Sequence, residues 1–187
     1  MSRTIVPNGN VCLTFKDSIS QNIAQFAARH FSDIADGYLI GTNCVPHLTL
    51  CQIYHDKPQP RALRRDLGTI AVPAETIRLE AVTHRTGTGP HDGFTWLEFQ
   101  ITPTPEWVAD MKFEVETILR KYDIPSLTAF GPDYRPHVTL CRMKTSGDVI
   151  NVAPNIFTIE PAQMHFSLGS SDANGQVQKI YWKKQLA

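Results

Sequence analysis

The chain has 187 residues, 42% of them hydrophobic and 19% charged, an ordinary balance for a globular fold of one domain or two small lobes. Lysine plus arginine and aspartate plus glutamate both number 18, so bulk charge does not recruit a long polyanion, although a local site for one or two phosphates stays open. No apolar run nears the ~18 residues of a membrane span, and the cysteines form no C-x-x-C pair.

Those cysteines are Cys12, Cys44, Cys51 and Cys141. With no apolar signal core in MSRTIVPNGN, the expectation is a cytoplasmic protein with reduced thiols.

In chain order, Val11 to Phe15 reads as a first strand. Asp17 or Ser18 is placed to cap a helix whose apolar face is Ile19, Ile23, Phe26, Ala27 and Phe31. Gly37 ends that region, and Gly41 to Val45 is a turn. After a strand from Pro46 to Ile53 comes a loop, His55 to Pro60. A second helix follows, with Leu63 and Leu67 inward and Arg61, Arg64 and Arg65 on a solvated face. Ile77 to Val82 and Phe94 to Ile101 read as strands joined by a long hairpin tip, residues 83–93, whose His84 and His91 have no metal-ligand spacing. Thr104 is positioned as a cap and Pro105 as the first turn of a third helix. Its stripe of Val108, Met111, Val115, Ile118, Leu119 and Tyr122 reads as core. A loop from Asp123 to Tyr134 delivers another strand, and Phe157 to Ile159, Met164 to Leu168 and Val177 to Trp182 are the last strands. This order predicts an α+β fold: two similar lobes of antiparallel sheet with helices packed outside, spanning residues 1–187 as one bilobal domain.

Two of these strands are nearly the same strand. Pro46 to Cys51 reads PHLTLC and Pro136 to Cys141 reads PHVTLC, starting 90 residues apart. Proline suits a strand's first residue. Strict alternation puts His47, Thr49 and Cys51 on one face, likewise His137, Thr139 and Cys141, with Leu48, Leu50, Val138 and Leu140 buried behind them. A single H-x-T is common by chance; two copies with the same flanks are not. Two imidazoles in one cleft would form a general acid–base pair, since an ordinary histidine titrates near ~6.5. A threonine hydroxyl beside each can donate to a phosphoryl oxygen.

At these residues the chain resembles the 2H phosphoesterase superfamily, whose two H-x-T/S motifs match His47 to Leu50 and His137 to Leu140. The resemblance implies a pseudo-twofold fold with a central cleft and phosphodiester chemistry without metal or cofactor. His47 and His137 would be catalytic, with Thr49 and Thr139 holding the phosphate. In the cyclic phosphodiesterases of that superfamily, water opens a 2',3'-cyclic phosphate. There, His47 would protonate the leaving oxygen and His137 would activate water. The implied partner is a nucleotide or RNA terminus, with no long nucleic-acid groove and no membrane, and the expected state is a monomer. Alternatives are a 2'-5' oligoadenylate or cyclic-oligonucleotide phosphodiesterase, a non-catalytic RNA-end binding module, and a His/Cys metal site. Further candidates for substrate contact are Arg142, Tyr134, Phe130 and Arg135. Alternation points Arg142 away from His137, so a twist or bulge is needed to bring it round.

Overall fold

The structure is a computed structural model that describes residues 6–42, 44–55, 61–88, 91–101, 103–129, 131–145 and 157–186. Its elements are β1 (Gly9–Phe15), α1 (Asp17–Phe31), β2 (Tyr38–Leu39), β3 (His47–Ile53), α2 (Arg61–Leu67), β4 (Ile77–Leu79), β5 (Val82–Thr86), β6 (Phe94–Gln100), α3 (Glu106–Lys121), β7 (His137–Lys144), β8 (Phe157–Ile159), β9 (Met164–Ser171) and β10 (Val177–Gln185). They form a four-stranded sheet in the order β10-β9-β1-β3, a second in the order β2-β7-β6-β5, and a two-stranded β4-β8 sheet. All the pairings are antiparallel. Among the described residues no helix is long and apolar enough to cross a membrane.

The architecture is the expected α+β one, with the two motif strands, β3 and β7, side by side at its centre. Each long helix crosses to the other half. α1 packs against β7 and β2 as well as β1, stacking Phe26 on Phe99 of β6 at 5.3 Å, while α3 packs against β3. The apolar stripes read from the sequence form the contacts: Ile23, Phe26, Ala27 and Phe31 on α1, and Val108, Met111, Val115, Ile118 and Leu119 on α3, are buried in one cluster. Burial of apolar area at ~25 cal/mol per Å² is what holds such amphipathic helices in place.

Several local expectations are corrected. Asp17 is already helical and Lys16 precedes it; Pro105 precedes α3, so Thr104 is not its cap, and neither helix has a side-chain cap bond. The predicted strand from Ile77 to Val82 is two strands. β4 pairs with β8, whereas β5 pairs with β6 through Thr86 opposite Thr95, so residues 83–86 belong to the ladder and the hairpin tip is shorter than the sequence suggests. The expectations for Pro60 and Phe130 lie outside the described residues.

The largest correction concerns parity. In β3, Thr49 faces Cys12 of β1 but Cys51 faces Val11, so Leu50 is an extra residue opposite a continuous partner strand. In β7, Thr139 faces Glu98 of β6 while Cys141 faces Leu97, so Leu140 is the same kind of bulge. A bulge reverses which way the later residues point. Cys51 and Cys141 therefore leave the histidine face and enter the core, at 0% exposure each. Gln52 and Arg142 replace them on the site side. This supplies the bulge that Arg142 requires.

Candidate active site

The first motif lies on a polar floor. Thr14, Cys12 and Asn10 of β1 stand opposite His47, Thr49 and Gln52 respectively. Thr14 and Ser167 share a hydrogen bond at 2.7 Å, so the buried hydroxyls under His47 are paired. The floor of the second motif has a different chemistry. Gln100, Glu98 and Trp96 of β6 stand opposite His137, Thr139 and Arg142.

The two imidazoles are held alike. His47 Nδ1 lies 2.7 Å from the Val45 carbonyl and His137 Nδ1 lies 2.8 Å from the Arg135 carbonyl, each two residues upstream. A carbonyl only accepts, so each Nδ1 carries a proton and donates it. That leaves each Nε2 as the atom that gains or loses a proton. The rings are close enough that charge on His137 opposes charge on His47.

Their surroundings differ. His47 is buried, and burial lowers its pKa to about 4; the Val45 carbonyl opposes that shift and His137 adds to it. His137 is half-buried, and its Nε2 faces the Glu98 carboxylate at 3.6 Å, forming an ion pair when the ring takes its second proton. Glu98 is 2% exposed and is also paired with Arg135. A buried carboxylate is expected to be matched by such a partner.

The remaining predicted residues differ in exposure and in the protein groups they engage. Thr49 is half-buried and Thr139 is buried, each two residues along from its histidine. Tyr134 is buried and its hydroxyl donates to the Thr49 carbonyl at 2.8 Å, so it braces the first motif from the second half. Tyr38 makes the reciprocal contact, donating to Gln176 Oε1 at 3.0 Å and lying 3.5 Å from the Thr139 carbonyl. Arg135 is engaged with Glu98 and lies 3.4 Å from Gln100 Oε1. Arg142 donates through Nε to the Asp36 carbonyl at 2.9 Å and stacks on Phe94, 4.3 Å from the ring centroid. It shares the site face, but these contacts hold it toward the far end of β7. A cavity of about 630 Å³ opens beside Val45 and Pro46, but neither motif histidine and neither motif threonine lines it.

Sequence reasoning missed Asn10, Glu98, Gln52 and Tyr38. Glu98 carried a signal, a lone carboxylate inside the apolar run FTWLEFQ. Asn10 sat in NGN, which looks like a turn. Among the described residues no three His, Cys, Asp or Glu side chains converge as metal ligands.

No family model matches the chain, and no curated protein does. Among solved structures, E. coli LigT complexed with 3'-AMP superposes with a TM-score of 0.63 at 17% identity, covering 97% of this chain and 98% of that one. E. coli LigT complexed with NADP+ gives 0.62 at 16%, covering 98% and 99%. A further structure described as a phosphoesterase gives 0.53 at 14%, also covering 98% and 99%. The chain therefore has the LigT fold over nearly its whole length.

Proposed function

We propose that this LigT-fold chain is a 2H phosphoesterase that opens the 2',3'-cyclic phosphate of a nucleotide or RNA end. The observation that carries the reading is the matched pair of Nδ1-tethered imidazoles on neighbouring strands, each followed by a threonine on its own face. The nucleotide complexes of LigT support a nucleotide as the substrate.

The two environments divide the labour. Neutral His47 has a bare Nε2 near pH 7 and takes the proton of an attacking water. His137, with Glu98 beside it, gives its Nε2 proton to the departing 3' oxygen. The water oxygen bonds to phosphorus, the P–O3' bond breaks, and a 2'-phosphate with a free 3' hydroxyl results. The proton count balances between the two rings. Thr49 and Thr139 donate to the non-bridging oxygens, where charge grows in the transition state. This assignment reverses the division implied by the family resemblance. It follows from the burial of one ring and the carboxylate beside the other.

The test is hydrolysis of a nucleoside 2',3'-cyclic phosphate, run beside a 2'-5' dinucleotide, with chelator present. The expected product is the 2'-phosphate, with turnover falling ~10²–10⁴-fold in His47→Ala and in His137→Ala. Turnover near wild type in either variant overturns the two-histidine reading. Cleavage of the dinucleotide alone moves the substrate to 2'-5' diesters. Tight binding of RNA ends with no turnover of any diester replaces the enzyme with a binding module.

A further inference from the structure

We propose that Asn10 is a positioning residue that fixes Thr49 as a hydrogen-bond donor to the substrate phosphate. The inference rests on the function proposed above and adds to it a residue outside both motifs. Asn10 lies on β1 opposite Gln52 and is 0% exposed, so it does not itself touch the substrate. Its Nδ2 donates to Thr49 Oγ1 at 3.0 Å and to the Gly175 carbonyl at 3.0 Å. The second bond settles the amide's orientation, because a backbone carbonyl cannot donate. The Thr49 oxygen is thereby an acceptor toward the protein, and its one proton is left for a partner on the open side of the strand. Such an arrangement fixes the polarity of the hydroxyl before any phosphate arrives.

Two further observations favour a directed role over simple packing. Asn10 Oδ1 is buried with no hydrogen-bond partner among the described residues, so the side chain's hydrogen bonds there are the two through Nδ2, one of them to Thr49. The acceptor at Gly175 is also specially built. That residue has φ +79°, a left-handed conformation that favours glycine, in the turn between β9 and β10 that carries this carbonyl to Asn10. In the second half the equivalent register position, opposite Arg142, is Trp96, which has no amide to offer. The asparagine contact is thus a feature of the first motif and has no counterpart at that register position of the second.

The experiment is a double-mutant cycle of Asn10→Ala and Thr49→Val, reading kcat and KM separately on a 2',3'-cyclic phosphate. Thr49→Val should lower kcat by about 10²-fold, as loss of one charge-stabilising donor does. Asn10→Ala should lower kcat by about tenfold with KM nearly unchanged, as loss of orientation does. The double variant should be no slower than Thr49→Val alone, because Asn10 acts only through that hydroxyl. Effects that multiply, or a wild-type kcat in Asn10→Ala, overturn the proposal. If Asn10→Ala does not fold, Asn10→Ser, whose hydroxyl is too short to reach Thr49, replaces it in the same cycle. A wild-type protein without diester turnover defeats the enzymatic reading and not this one. The cycle is then read by affinity for inorganic phosphate, weakened equally in both single variants and no further in the double. Phosphate affinity lowered by Thr49→Val and untouched by Asn10→Ala rejects it.

Discussion

At the scale of single residues, the proposed chemistry depends on how differently one protein treats two identical side chains. His47 loses solvent on folding, and its pKa falls from 6.5 to about 4. The unfolded chain thus binds a proton between those values that the folded chain does not, so stability rises with pH across that window. The contribution is present above pH 6.5 and is lost as pH falls through 4, an amount on the order of 3 kcal/mol. Urea melts of wild type and His47→Gln between pH 7 and 4 check this: the wild type should lose more stability than the variant. Parallel curves would remove the burial argument. The division of labour is tested separately by the leaving group. A substrate releasing p-nitrophenolate needs no acid, so the His137→Ala defect should shrink on it by at least tenfold while the His47→Ala defect persists. The opposite pattern would restore the roles implied by the family resemblance.

At the scale of elements, the decisive features are the matched bulges at Leu50 and Leu140. The first three residues of each motif strand were legible, because His, an apolar residue and Thr alternate as a half-buried strand does. The next three residues were not. Leu-Cys-Gln and Leu-Cys-Arg fit either parity, and only the partner strand decides which residue is surplus. Asn10 and Glu98 escaped for a related reason: each gains its role from the strand opposite, and cross-strand register does not appear in a linear pattern. The apolar stripes of α1 and α3 were readable, since helical spacing is local. Yet α3 also buries two charges on its inner side. Lys112 and Glu116 are paired one turn apart, each with a side chain 5% exposed, and Lys112 lies 5.2 Å from the centroid of the Tyr134 ring. Removing Lys112 leaves the Glu116 carboxylate buried without that ion pair, so Lys112→Met should cost ~3–5 kcal/mol, while a joint Lys112→Met, Glu116→Leu change should cost much less. Denaturant midpoints of the three proteins decide it.

At the scale of the whole molecule, the two halves hold each other's motif strand in place. α1 lies under the sheet that carries His137, α3 lies under the strand that carries His47, and Tyr134 and Tyr38 reach across to the opposite motif. That interleaving predicts that the chain melts in one transition and that neither residues 1–90 nor residues 91–187 fold alone. Calorimetry of the whole chain and circular dichroism of the two fragments test this. A fragment with its own cooperative melt would break the argument. In the sequence the two halves are visibly alike only at the motifs, because the contacts that join them pair residues far apart along the chain.

The burial of all four thiols has a practical consequence. Loss of solvent raises the pKa of Cys44 to about 11 and those of Cys51 and Cys141 to about 12, and pushes Cys12 up further. Thiolate is the reactive form toward alkylating agents, so the native protein should take up almost no iodoacetamide at neutral pH. Each labelling event would then record an opening of the fold. Cys51 and Cys141, one in each motif strand, would report whether the two strands come apart together or one before the other.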